Sequence, residues 1–237
     1  MPEDRQFVRA RALKPRDSWW TVLFVDAVTI HLLPGLLKVP GVTPMRLSLL
    51  GLAVGAVSVW SFASGWLIAG ALLFQLRYVI DCLDGKVARV RGQTSAWGAF
   101  ADLAIDVATV AACYAALGYW ALSSQAPHAW TVLLLLVAYT ISAWVHLYRR
   151  LGLGETERTS RPATPVTRVW ARSRFRPYPA SVEVETALLV FFPLLAPIDW
   201  YAYVAGAAAL FYLVSAADGV RRVRGRLGGA EAEVGGA

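Results

Sequence analysis

Four aspartates set in apolar sequence constrain this chain more than any other feature. They lie in the stretch DCLDGKVARVRGQTSAWGAFADLAID, where Asp81 and Asp84 are three residues apart and Asp102 and Asp106 are four apart. Residues at those spacings share one face of a helix. The stretch therefore reads as two helix ends, each presenting a pair of carboxylates, joined by a short basic loop. Gly85 and Ala88 continue the Asp81 face, and Gly98 precedes Asp102 by one turn. Small residues there predict a close approach of the two helices, so that all four carboxylates converge. Converging carboxylates do not all stay ionised without cations between them. An all-oxygen donor set suits hard divalent ions, Mg²⁺ or Mn²⁺. A pair of such ions about 4 Å apart is a common device for phosphoryl transfer.

The plainer reading, acids that cap and solvate two helix ends, fails on the flanking sequence. Of the 237 residues 57% are hydrophobic, mean hydropathy is +0.49, and the 16% that are charged fall in clusters. Such a balance excludes an ordinary soluble domain and predicts an all-α, polytopic membrane protein. Acids at the end of a membrane span are costly unless they serve a function. Cys82 and Cys113 both stand in apolar helical surroundings. They read as small core residues, not as a disulfide framework or a thiolate metal site. A net charge of +7 suits anionic membrane lipids. Nucleic acid is not an expected partner, because no soluble basic domain exists to bind it.

Three regions follow. Residues 1–42 comprise a basic arm without an apparent cleavable signal and an apolar run from Trp19 to Leu37. That run carries Asp26, His31 and Pro34, and is expected to lie in the membrane interface with Trp19 and Trp20 at headgroup level. A seventh spanning helix is the alternative. Residues 43–222 are expected to form a domain of six transmembrane helices, with spans near Leu47–Ala63, Trp66–Cys82, Trp97–Leu122, Trp130–Tyr148, Val184–Pro197 and Trp200–Ala217. Residues 223–237 read as a disordered tail.

Twenty-two of the 23 Lys and Arg residues fall in the N-terminal arm, the second and fourth connections or the C-terminal tail. The intervening connections contain none. By the positive-inside rule both termini and the aspartate cluster are cytoplasmic, in a multi-pass protein of the cell inner membrane. The exception is Arg77, one turn before Asp81, which either snorkels to the interface or pairs with a site carboxylate. The second is preferred. The fourth connection, residues 149–180, carries eight arginines. It reads either as a solvated loop held to anionic headgroups or as part of a site for an anionic acceptor.

The arrangement Asp81-x-x-Asp84-Gly85-x-x-Ala88-Arg89, eight residues, Gly98, three residues, Asp102, three residues, Asp106 resembles the signature of the CDP-alcohol phosphotransferase family at every fixed position. The resemblance implies a six-helix membrane enzyme, usually a homodimer, in phospholipid biosynthesis. Its donor would be a CDP-alcohol such as CDP-diacylglycerol. The phosphatidyl or related group would pass to an acceptor alcohol, with release of CMP. Carried over by position, Asp81, Asp84, Asp102 and Asp106 are metal ligands for two Mg²⁺ or Mn²⁺ ions. Asp106 is also the base that takes the hydroxyl proton. Gly85 and Arg89 contact the CDP-alcohol, as do Ser95 and, in the segment Thr43-Pro44-Met45-Arg46-Leu47-Ser48, Ser48. Met45 departs from the Asn or Asp often found at its place.

The branch of this family that uses inositol phosphate carries basic residues near the end of the fourth span and the start of the fifth. Here those places hold Val145, His146, Glu183 and Glu185, which predicts a neutral or cationic acceptor. Glu183 and Glu185 are otherwise explained as first-turn acids of a helix capped by Ser181. Other classes are a magnesium-dependent membrane prenyltransferase or cyclase acting on a diphosphate, and a fold relative without turnover. The first leaves the Gly-x-x-Ala-Arg element without a purpose, and the second lacks any replaced aspartate to suggest it.

Overall fold

A computed structural model describes residues 5–151 and 173–234; the middle of the arginine-rich connection, with Arg161, Arg168 and Arg172, lies outside them. The described residues are helical throughout, apart from turns and one isolated bridge between Asp17 and Phe175. A short α1 (Arg5–Ala12) leads to α2 (Asp26–Lys38), which is entered through a wide π turn at Thr21–Val25. Then come α3 (Pro44–Ala63), α4 (Leu67–Arg91), α5 (Ala96–Ser123) and α6 (Thr131–Leu151). The next helical run consists of α7 (Ser181–Thr186), a π turn at Ala187–Phe191 and α8 (Phe192–Leu195), and α9 (Tyr201–Val234) closes the chain.

Among the described residues, five helices are long and apolar enough to cross a membrane: Thr21–Lys38, Pro44–Ala63, Ala96–Ser123, Thr131–Arg149 and Ile198–Gly225. The chain is thus an all-α polytopic membrane protein, and four of these five coincide with expected spans. The N-terminal helix, expected to lie in the interface, also qualifies on length and composition. The other two expected spans differ for physical reasons. Helix α4 has 25 residues but carries Arg77, Asp81 and Asp84 within its apolar part. The run from Ser181 to Leu195 is short and broken, because Pro193 has no N–H for the helical ladder and the turn before it widens. The C-terminal residues also differ from expectation. Helix α9 continues to Val234, through Ala230-Glu231-Ala232-Glu233, four strong helix formers.

Helix α3 packs along both α4 and α5, and α6 pairs with α9. Two buried clusters hold this arrangement. The larger joins α3–α6 with the last two rods around Tyr114, Tyr139 and Tyr212, whose rings meet edge to face; the Tyr114 and Tyr212 hydroxyls lie 2.9 Å apart. The smaller places Val8 and Ala12 of α1 against Leu33, Leu47, Ile80, Leu83 and Val87. The basic arm is therefore docked against the part of α4 that carries the aspartates.

Candidate active site

Helix α4 extends beyond the expected end of its span near Cys82 and keeps the expected helical face through Gly85 and Ala88. It runs on through Asp81, Asp84, Gly85 and Arg89 to Arg91, where Gly92 turns left-handed (φ +66°) and the Gln93 N–H reaches the Ala88 carbonyl at 2.9 Å. Only residues 92–95 connect it to α5. Ser95 starts α5, its Oγ accepting the Gly98 N–H at 3.0 Å. Its side chain is thus occupied as a helix cap.

The predicted close contact of the two aspartate helices through Gly85, Ala88 and Gly98 is not what forms. Helices α4 and α5 meet chiefly across α3, and the close approach belongs to Gly55 of α3. A Cβ there would come within 2.8 Å of the Thr109 Cγ2 on α5 and 3.6 Å of the Arg77 Cγ on α4. The resulting cleft is lined by Ser48, Gly51 and Leu52 of α3, Arg77, Asp81 and Asp84 of α4, and Asp102 and Ile105 of α5.

Within it, Asp81, Asp84 and Asp102 bring one carboxylate oxygen each to within 4.8 Å of one another. The Ser48 hydroxyl donates to Asp84 Oδ2 at 2.6 Å and fixes that carboxylate. Asp106, the fourth expected member, is held apart. The Arg77 Nη2 donates to its Oδ1 at 2.7 Å and lies 3.8 Å from Asp81 Oδ1. Arg77 thus takes the pairing option, not the snorkelling one. Three oxygens at this spacing, with no thiol or imidazole in the cleft lining, are a donor set that fits a hard divalent cation.

Arg89 is directed elsewhere. Its Nε and Nη2 donate to the Ala12 carbonyl at 3.0 and 2.7 Å, at the end of α1. Gly85 gives this guanidinium room, since a Cβ there would lie 3.3 Å from Arg89 Nη1. The arm is anchored further by contacts the sequence did not announce. Asp26, 6% exposed, pairs with Lys86 Nζ at 2.9 Å and Arg174 Nη2 at 2.5 Å. Arg174 also donates to the Lys14 carbonyl at 3.3 Å. An acid in an apolar run and a lysine inside the aspartate motif were the only signals, and neither names its partner.

Glu183 has a double capping role. Its Oε2 accepts the Ala180 N–H at 2.7 Å, so Glu183 and not Ser181 caps α7; its Oε1 accepts the Trp19 N–H at 2.6 Å. One carboxylate therefore serves two helix starts. Glu185 is 5% exposed, and its carboxyl lies within electrostatic reach of Asp106 and Arg77. His146 Nε2 lies 3.1 Å from Ser215 Oγ on α9, a contact between helices.

With this geometry in place, the sequence matches the CDP-alcohol phosphatidyltransferase family over residues 41–216. The chain belongs to that family. Among curated relatives, inner membrane protein YnjF of Escherichia coli is 38% identical over 77 residues, 32% of this chain and 37% of YnjF. A phosphatidylinositol phosphate synthase of Corynebacterium glutamicum is 37% identical over 109 residues, 44% of this chain and 49% of that protein. The chain thus spans between a third and a half of these two relatives. The fold is shared with Mycobacterium tuberculosis phosphatidylinositol phosphate synthase, solved with CDP-DAG bound (TM-score 0.59, 19% identity, 84% of this chain and 92% of that one). The same protein has been solved with manganese and citrate (TM-score 0.57, 18% identity, 84% and 88%).

Proposed function

We propose that this protein transfers a phosphatidyl or related phospho-alcohol group from a CDP-alcohol, such as CDP-diacylglycerol, to the hydroxyl of an acceptor alcohol, releasing CMP. The observation that carries this is the triad Asp81, Asp84 and Asp102, within 4.8 Å, with Asp106 one turn further along α5. Asp81, Asp84 and Asp102 would hold Mg²⁺ or Mn²⁺, with Asp106 completing a second position. Bound there, the cation neutralises the pyrophosphate and lets a hydroxyl approach it.

The chain's own groups do the rest. Asp106, a third exposed and oriented by Arg77, takes the proton of the acceptor hydroxyl. The hydroxyl oxygen bonds to the lipid-bearing phosphorus, the P–O bond to the CMP moiety breaks, and CMP leaves with the bridging oxygen. Ser48 keeps Asp84 pointed into the cleft. Arg89 exchanges the neutral Ala12 carbonyl for a nucleotide phosphate oxygen, a stronger charge-assisted partner. Gly85 leaves space beside it. Of the other sequence candidates, Ser95 caps α5 through its Oγ and is not among the residues that line the cleft. The same reading includes a homodimer in the inner membrane, with the charged face and both termini cytoplasmic. A cysteine engineered at position 2 or 235 is expected to resist an impermeant maleimide applied to intact cells; outside labelling would overturn that orientation.

The acceptor is read as a neutral or cationic alcohol. A phosphorylated acceptor brings extra negative charge to an anionic donor and requires cations reserved for it. The described basic residues nearest the arm are engaged, Lys86 and Arg174 by Asp26, and the buried acid Glu185 faces Asp106. The test is CMP release from CDP-diacylglycerol by purified protein with serine, ethanolamine, free inositol, glycerol 3-phosphate and inositol phosphate. Preference for one of the first three is expected. A clear preference for either phosphate ester would overturn the acceptor assignment, and no CMP release with any of them would overturn the donor assignment.

A further inference from the structure

Arg77 is the least expected group in the cleft. It is 1% exposed, the largest fully buried side chain among the described residues, and its stem passes Gly55 at the α3–α5 crossing. Its guanidinium lines the same cleft as the three clustered aspartates, but its ion pairs run to Asp106 at 2.7 Å and Asp81 at 3.8 Å. The buried carboxyl of Glu185 also lies within its electrostatic reach. Nη1 is buried with no hydrogen-bond partner among the described residues. A guanidinium carries five donors in a fixed fork, and here one arm of the fork is unused at a site crowded with acids. The full positive charge is thus placed where a second cation beside Asp81 and Asp106 would otherwise sit.

We propose that Arg77 is the internal counter-cation of the Asp106 side of the cleft, so that a second divalent ion binds there only by displacing it. This rests on the reading of Asp81, Asp84 and Asp102 as a metal site. The consequence is an ordered site. The first ion enters the triad, where the guanidinium makes only the longer 3.8 Å contact, with Asp81. The second ion has to separate Asp106 from Arg77, and it gains only when substrate phosphate oxygens are present to share its charge. Arg77 also keeps Asp106 oriented while the cleft is empty. It is a positioning residue, because it acts through Asp106 and Asp81.

The test is Mn²⁺ binding to the full chain in detergent, without nucleotide, followed by the electron paramagnetic resonance of free Mn²⁺. Wild type is expected to bind one ion tightly and a second far more weakly. In Arg77→Gln the second ion should bind at least about tenfold more tightly, because one positive charge no longer competes for two carboxylates. The first ion should be little changed. Arg77→Lys keeps the charge but loses the fork, and should fall between the two. Thermal melting gives an independent readout: Arg77→Gln in chelator should melt below wild type, and Mn²⁺ should raise its melting point by more than it raises the wild-type value. Equal second-ion affinity in wild type and Arg77→Gln would overturn the proposal. If the Gln variant does not fold, unchanged second-ion affinity in Arg77→Lys overturns it equally. Wild type that binds no Mn²⁺ at all overturns the metal reading beneath it, which is a separate outcome from binding that is indifferent to Arg77.

Discussion

Asp106→Asn is expected to abolish transfer, with CMP release falling by at least about a thousandfold, the upper part of the range for loss of a general base. The substitution conserves shape and keeps one oxygen to accept from Arg77 Nη2, which donates to Oδ1 at 2.7 Å in the wild type. Removing the carboxylate altogether would leave a buried guanidinium without its nearest partner and destabilise the fold. Asparagine avoids most of that cost, and Asp81 still lies 3.8 Å from Arg77 Nη2. What asparagine cannot do is take a proton from an attacking hydroxyl. Mn²⁺ binding at Asp81, Asp84 and Asp102 should survive, because Asp106 stands outside that triad. A variant that binds Mn²⁺ once, keeps its melting point within a few degrees and releases no CMP matches the assignment. Activity within about tenfold of wild type would remove Asp106 from the base role.

What was legible in the sequence follows from how local the determining interactions are. The aspartate spacings and the apolar spans are set within one or two helical turns, so their pattern survives in one dimension. The pairing of Arg77 was legible for the same reason: it stands one turn before Asp81 on the same helix. Helix α4 runs on past the expected span end near Cys82 because Lys86, Arg89 and Arg91 each bind an element from elsewhere. Lys86 reaches Asp26, Arg89 reaches the Ala12 carbonyl, and Arg91 reaches the Val42 carbonyl. Those tertiary partners keep a polar helix helical.

The arm was the least legible part. Glu183 was readable as a first-turn acid of its own helix, but not as the acceptor for the Trp19 N–H, 164 residues away. Nor does spacing disclose that Asp17 meets the backbone of Arg174 and Arg176. Contacts of this kind leave only single polar residues in apolar or basic stretches. They matter for the site nonetheless, since they press α1 onto α4 beside Arg89.

Chelation is the second expected result with a large effect: transfer should stop entirely in excess EDTA and return on adding Mg²⁺ or Mn²⁺. The cleft itself carries the argument. At 4.8 Å or less, two ionised carboxylates repel by about 3 kcal/mol at an effective dielectric near 20, less where Asp102 faces water. Among the described residues Arg77 is the cation that joins these groups, and its closest pair is outside the triad, with Asp106. Asp84 is buried and fixed by Ser48, so it cannot swing away to relieve the repulsion. Among the described residues, none supplies a positive charge at the centre of the triad. Without such a charge, the pyrophosphate of a CDP-alcohol would face bare carboxylates, and the donor would be repelled before any proton could move. Ca²⁺, larger and content with irregular coordination, should bind at the same carboxylates but support little turnover. The direct check is CMP release against free metal concentration, alongside the metal-induced rise in melting temperature. Undiminished turnover in chelator, with no metal effect on melting, would show these three aspartates to be structural acids.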